Sequence, residues 1–120
     1  MKKTVILVED DESIRDVINI ILERAGYDVI CYEDGQKLIN GISNIPDIFL
    51  IDRQLSGIDG IDLCRHLKEQ PSTASVPVII LSATPGLENL AKNAGAIAFI
   101  EKPFSMSRLM EMIESHLNHH

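Results

Sequence analysis

Five side chains stand where apolar runs end: Glu9, Asp10, Asp52, Ser82 and Lys102. Asp52 closes the stretch Pro46–Asp52, whose residues Ile48 to Ile51 are all apolar. Behind it come the turn-forming pairs Ser56-Gly57 and Asp59-Gly60. A short unbroken apolar run bounded by turn signals is the pattern of a strand buried on both faces. A carboxylate at its end sits at the rim of the core, where a crevice can form. Alone, such an Asp serves equally well as a solvated loop acid or a helix cap. The other four change the weighing. Three carboxylates held close repel one another, and a hard divalent cation relieves that repulsion. Mg2+ takes oxygen ligands and is commonly held by one or two carboxylates plus a phosphate. Lys102 offers a compact positive charge to an added anion, and Ser82 offers a hydroxyl donor. Together these groups describe a phosphoryl site with Asp52 as the nucleophile that forms an aspartyl phosphate.

That chemistry requires elements that bring the run ends together. Thr4 to Val8 reads as a first strand, and Ile14, Val17, Ile18, Ile21 and Leu22 recur at helical spacing until Gly26 closes the helix. Asp28 to Tyr32 is a second strand and Lys37 to Ile42 the core of a second helix; the Asp52 strand is third. Asp59 starts a helix carrying Ile61, Leu63, Cys64 and Leu67. Val76 to Leu81 is a fourth strand, and Thr84-Pro85 reads as a cap with proline in the first helical turn. Ile97 to Ile100 is a fifth strand, and Ser105 caps a last helix with Met106, Leu109, Met110, Ile113 and Leu117. Five strand-then-helix repeats predict a parallel α/β sheet with right-handed crossovers and helices on both faces. The common doubly wound order for five strands, 2-1-3-4-5, puts a crevice at the C-terminal ends of strands one and three. All five polar residues then lie at one end of one sheet.

Composition narrows the alternatives. The 120 residues suit one domain with a single core, and 18 acids against 11 Lys and Arg give a formal charge of −7. That balance argues against nucleic acid or an anionic membrane as a direct partner. The start, MKKTVILVEDD, meets acids after too few apolar residues for an export signal, and no run approaches a membrane span. Cys31 and Cys64 lack a CxxC or metal-type spacing, and are expected to be two reduced, buried thiols of a cytoplasmic protein. His66 is expected on a solvated helix face. His116, His119 and His120 read as a polar tail of the kind a purification tag leaves, with residues 119–120 outside a domain spanning 1–118.

Over its full length the chain resembles the receiver domain of two-component response regulators. The acidic pair of LVEDDES, the acceptor of FLIDRQLSGIDG, the hydroxyl and small residue of VIILSA and the Lys-Pro of FIEKPF carry the resemblance as an ordered set. It implies a flavodoxin-like (βα)5 fold in which Asp52 accepts a phosphoryl group from a histidine kinase or phosphotransfer protein. Asp10, Asp52 and the backbone carbonyl of Gln54 would ligate Mg2+, or Mn2+ in its place, with Glu9 acting largely through water. Ser82 and Lys102 would contact the phosphoryl oxygens. Phe99 would turn inward as Ser82 moves, reshaping a partner-binding face around the last two strands and helices. Gln54 and Thr84 would tune the lifetime of the aspartyl phosphate, and the Lys102-Pro103 bond would be cis. A downstream protein or a fused output domain would read the switch.

The sequence departs from the family pattern at three places. The acids are Glu-Asp rather than Asp-Asp, Ser56 replaces a common proline, and the Ser82–Lys102 interval is about two residues short, which predicts a reduced fourth helix. Three rivals remain beside this reading. A phosphatase working through an aspartyl phosphate wants a second acid two residues after the nucleophile, where this chain has Gln54; the expectation is therefore a self-phosphorylating switch and not an enzyme on external substrates. A flavin mononucleotide binder wants a Gly/Ser/Thr-rich loop after the first strand, which here is acidic. A degenerate receiver that only binds partners would not need its acids, Ser82 and Lys102 intact.

Overall fold

The computed structural model describes residues 2–117. Its elements run β1 (Thr4–Val8), α1 (Glu12–Arg24), β2 (Asp28–Tyr32), α2 (Gln36–Ile39), β3 (Ile48–Asp52), α3 (Gly60–Glu69), β4 (Val78–Ser82), α4 (Glu88–Asn93), β5 (Ala98–Glu101) and α5 (Met106–Leu117). Every paired strand is parallel and the order is β2-β1-β3-β4-β5, the doubly wound arrangement of a flavodoxin-like fold. The chain steps outward from β1 to β2, then crosses back to place β3 on the other side of β1. The crevice between the C-terminal ends of β1 and β3 is where the order reverses.

Alternate side chains of the central strands feed two separate cores, as the period of two requires. Ile6, Val8, Phe49, Ile51, Val78 and Ile80 point toward α2, α3 and α4, where they meet Leu38, Leu63, Cys64, Leu67 and Ala91. Val5, Leu7, Ile48, Leu50, Ile79 and Leu81 face α1 and α5 and pack on Ile18, Leu22, Leu109 and Ile113. Each fully buried Leu, Ile or Val contributes roughly 1.5–3 kcal/mol of transfer free energy, so both faces hold the sheet in register.

Local signals set most boundaries. Asp11 caps α1 by accepting from the Ile14 amide at 2.9 Å, and Asp59 caps α3 through the Ile61 amide at 2.8 Å. Gly26, at φ 98°, supplies the left-handed residue that ends α1. Ser105 caps α5 as expected, accepting from the Arg108 amide at 3.1 Å.

Several expectations need correction. Thr84-Pro85 does not open α4: the helix begins at Glu88 after Leu87, which makes no side-chain cap, and it spans six residues. Thr84 instead donates its amide to Ser82 Oγ and accepts from Arg53 at its hydroxyl. Cys64 is buried but Cys31 is exposed, on β2 at the edge of the sheet. On α1, Ile14 and Val17 share the helical spacing of Ile18 and Leu22 yet are 38% and 51% exposed, since only part of that stripe reaches the sheet. The predicted second helix, Lys37 to Ile42, is in fact the shorter Gln36–Ile39. His66 is half-buried beside Gln70 and Thr73. His116 belongs to the last turn of α5, while His119 and His120 lie outside the described residues.

Candidate functional site

Parallel pairing brings the C-terminal ends of β1, β3, β4 and β5 to one edge, and the five residues named from sequence come with them. Glu9 follows β1, and its amide donates to the Tyr32 carbonyl at 3.0 Å, extending the ladder by one residue. This holds its side chain inward, 1% exposed, while Asp10 turns outward into solvent. Asp52 is the last residue of β3 and is buried; Ser82 ends β4 and is fully buried. Lys102 follows β5, with its amide donating to the Ser82 carbonyl at 2.7 Å and its bond to Pro103 cis.

Carboxylate oxygens of Glu9, Asp10 and Asp52 lie within 4.8 Å of one another. Lys102 Nζ reaches into the same space, 3.0 Å from Asp52 Oδ1 and 3.4 Å from Glu9 Oε1. The contact to Asp52 is a charge pair without hydrogen-bond alignment, so Oδ1 is a buried oxygen with no aligned donor. One ammonium, paired with Glu9 and Asp52, serves a cluster of three carboxylates. The electrostatics show the excess: burial and then the negative charge of Asp52 push the Glu9 carboxyl from 4.5 up to about 7, against the opposing pull of the Asp11 amide and Lys102. Burial acts to lower the Lys102 ammonium, but Asp52 and Glu9 outweigh it and hold its pKa above the ordinary value. A buried Asp52 oxygen with no aligned hydrogen bond, in a cluster of three carboxylates served by one ammonium, fits a hard divalent cation.

Ser82 is 0% exposed and its hydroxyl is turned into its own loop. Oγ accepts from the Thr84 amide at 3.0 Å and donates to the Thr84 carbonyl at 3.3 Å. Thr84 is half-buried, Gln54 is exposed in the loop after β3, and Phe99 on β5 is half-buried beside Glu88, Glu101, Pro103 and Phe104.

Four neighbours were not singled out as site residues from the sequence. Arg53, directly after Asp52, lies 3.2 Å from Asp59 Oδ2 through Nε and donates from Nη1 to Thr84 Oγ1 at 3.2 Å. Arg15 donates to the Glu9 carbonyl at 2.9 Å, pinning the start of the acidic loop. Ser56 donates to Asp10 Oδ2 at 3.3 Å, so the residue replacing proline ties its loop to an acid. Gly60 had read as turn chemistry, but its requirement is close approach: a Cβ there would collide with the Asp52 carbonyl and lie 2.7 Å from the Arg53 Cα. Polar residues flanking an acceptor carry no periodicity, so only their contacts reveal them.

Comparison with known proteins gives the same picture over nearly the whole chain. The family model described as response regulator receiver domain matches residues 5–114. The receiver domain of a Francisella response regulator is 28% identical with a TM-score of 0.89, covering 98% of each chain. The signal receiver domain of a signal transduction histidine kinase from Syntrophus aciditrophicus is 29% identical with a TM-score of 0.88, covering 97% of this chain and 90% of that one. The receiver domain of the sensor histidine kinase PA1611 from Pseudomonas aeruginosa PAO1, solved with a magnesium ion coordinated in its active-site cleft, is 26% identical with a TM-score of 0.88; the match covers 98% of this chain and 99% of that one. With the model spanning the two cores and all five strand ends, the chain belongs to the response regulator receiver domain family.

Proposed function

We propose that this receiver domain is a phosphorylation switch in which Asp52 takes a phosphoryl group from a histidine kinase or phosphotransfer protein. The observation that carries the reading is the pairing of a buried, donor-poor Asp52 oxygen with Lys102 at 3.0 Å, inside a cluster of acids whose oxygens lie within 4.8 Å. An Asp52 carboxylate oxygen attacks phosphorus; an O–P bond forms, the P–N bond to the donor imidazole breaks, and the imidazole leaves with the electron pair. Lys102 stays beside the acceptor and neutralises charge on the incoming oxygens. Glu9, Asp10, Asp52 and the Gln54 backbone carbonyl would hold Mg2+, or Mn2+ in its place. When bound, the cation supplies charge neutralisation for the acids and the phosphoryl oxygens. The structure with magnesium in the cleft of the PA1611 receiver domain supports that assignment.

Once Asp52 carries phosphate, its oxygens offer Ser82 a stronger acceptor than the Thr84 carbonyl. Ser82 moves toward Asp52, and Phe99 turns into the space left behind. The surface around β4, β5, α4 and α5 then changes shape for a downstream protein or a fused output domain. Gln54 and Thr84 flank the path of attacking water and tune how long the phosphate lasts. The protein thus catalyses its own phosphorylation and dephosphorylation in the cytoplasm and turns over no external substrate.

Intact mass after incubation with acetyl phosphate tests the reading. Wild-type protein is expected to gain one phosphoryl group with Mg2+ and none in EDTA, and Asp52→Asn none in either. A phosphorylated Asp52→Asn protein would sink the acceptor assignment.

A further inference from the structure

The resting position of Ser82 is tied to Thr84 and, through it, to Arg53. Ser82 Oγ is the acceptor for the Thr84 amide at 3.0 Å, and the Thr84 hydroxyl is in turn held by Arg53 Nη1 at 3.2 Å. Arg53 is anchored on its other side by Asp59, which also caps α3. A continuous chain of contacts therefore runs from the start of α3, through the residue adjoining Asp52, to the loop after β4. Arg53 Nε lies 3.2 Å from Asp59 Oδ2 without hydrogen-bond alignment, and both side chains are partly exposed. Ion pairs in that setting are weak, so the resting contacts form a latch that is closed but shallow.

We propose that Arg53 is a positioning residue that biases the β4–α4 loop toward the resting state by holding Thr84. The proposal rests on the phosphoacceptor reading and adds a regulator to it: the loop must break the Arg53–Thr84 bond before Ser82 can reach a phosphoryl group on Asp52. Without the bond, a larger fraction of the protein occupies the competent arrangement before any ligand arrives. Apparent affinity for a phosphoryl mimic rises by the same factor. One hydrogen bond from a charged, partly exposed donor is worth about a 3- to 10-fold shift.

The test is a titration with beryllofluoride and Mg2+ followed by amide NMR shifts, on wild type, Arg53→Met, Thr84→Val and the double variant. Arg53→Met and Thr84→Val are each expected to bind the mimic about 3- to 10-fold more tightly, with no further gain in the double variant. The Ser82 and Thr84 amides of unliganded Arg53→Met should already be displaced along the line toward their bound positions. Thr84→Val leaves the Arg53–Asp59 pair and the α3 cap in place, so it isolates the latch from any general loosening of the fold. Unchanged or weaker binding in Arg53→Met, or equal effects of Arg53→Met with and without the Thr84 hydroxyl, would overturn the latch. Failure of wild type to bind the mimic, or binding by Asp52→Asn, would overturn the phosphoacceptor reading itself, and the latch with it.

Discussion

Replacing Glu9 with Gln should stabilise the metal-free protein, and by an amount that depends on pH. Glu9 is 1% exposed, and burial together with the charge of Asp52 lifts its carboxyl from 4.5 to about 7. The folded chain therefore binds this proton more tightly than the unfolded chain. Stability from Glu9 is fully present below pH 4.5 and is lost as pH rises through 7, where the buried group must ionise beside Asp52. A displacement of that size corresponds to about 3 kcal/mol. Gln keeps the size and an acceptor oxygen for Lys102 but carries no charge at any pH. The Glu9→Gln protein in EDTA should be more stable than wild type by about 3 kcal/mol at pH 8, a gap that shrinks below about 1 kcal/mol at pH 5. Urea unfolding at the two pH values measures both differences. Mg2+ at pH 8 should narrow the gap, because a cation beside Glu9 removes the penalty in wild type that Gln already lacks. A stability difference that stays flat between pH 5 and pH 8, or a Glu9→Gln protein less stable than wild type at pH 8, would refute the claim that surplus negative charge strains this site.

Lys102→Met leaves Glu9 and Asp52 facing each other without their shared cation. In EDTA at pH 8 it is expected to cost on the order of 2 kcal/mol in urea unfolding, and to abolish the mass gain from acetyl phosphate even with Mg2+. Gly60→Ala forces a Cβ into the backbone of Asp52 and Arg53; it should destabilise by about 2–3 kcal/mol in the same assay and slow phosphorylation by shifting the acceptor. Iodoacetamide on the native protein should label one thiol, Cys31, at mildly alkaline pH, and a second only after urea. Cys64 is buried and burial pushes its thiol up to about 11, whereas Cys31 is exposed with its thiol raised by a lesser degree of burial. Two native thiols reacting at equal rates would contradict the packing of α3 on the sheet.

Strand and helix order was legible because it is written in local pattern. Short continuous apolar runs bounded by turn residues, such as Ile48–Ile51 and Ile79–Leu81, are the pattern of a strand covered on both faces, and capping residues such as Asp11, Asp59 and Ser105 act within three residues of themselves. The strand-end residues Glu9, Asp10, Asp52, Ser82 and Lys102 were legible for the same reason, since each is a polar residue within two positions of the end of an apolar run. What stayed hidden depends on contacts between distant segments. The start of α4 could not be read from Thr84-Pro85 because a partner 31 positions away, Arg53, takes the Thr84 hydroxyl. Cys31 looked like a core residue until the strand order made β2 an edge. Gly60 looked like a turn until the backbone of Asp52 and Arg53 closed over it. From the sequence alone come the kinds of groups and the strand ends that carry them, because propensity and hydrophobic period are local. The tertiary structure decides which acids share a cation, which hydroxyl is already satisfied and which arginine holds it, because burial, charge repulsion and hydrogen-bond partnership are properties of neighbours in space.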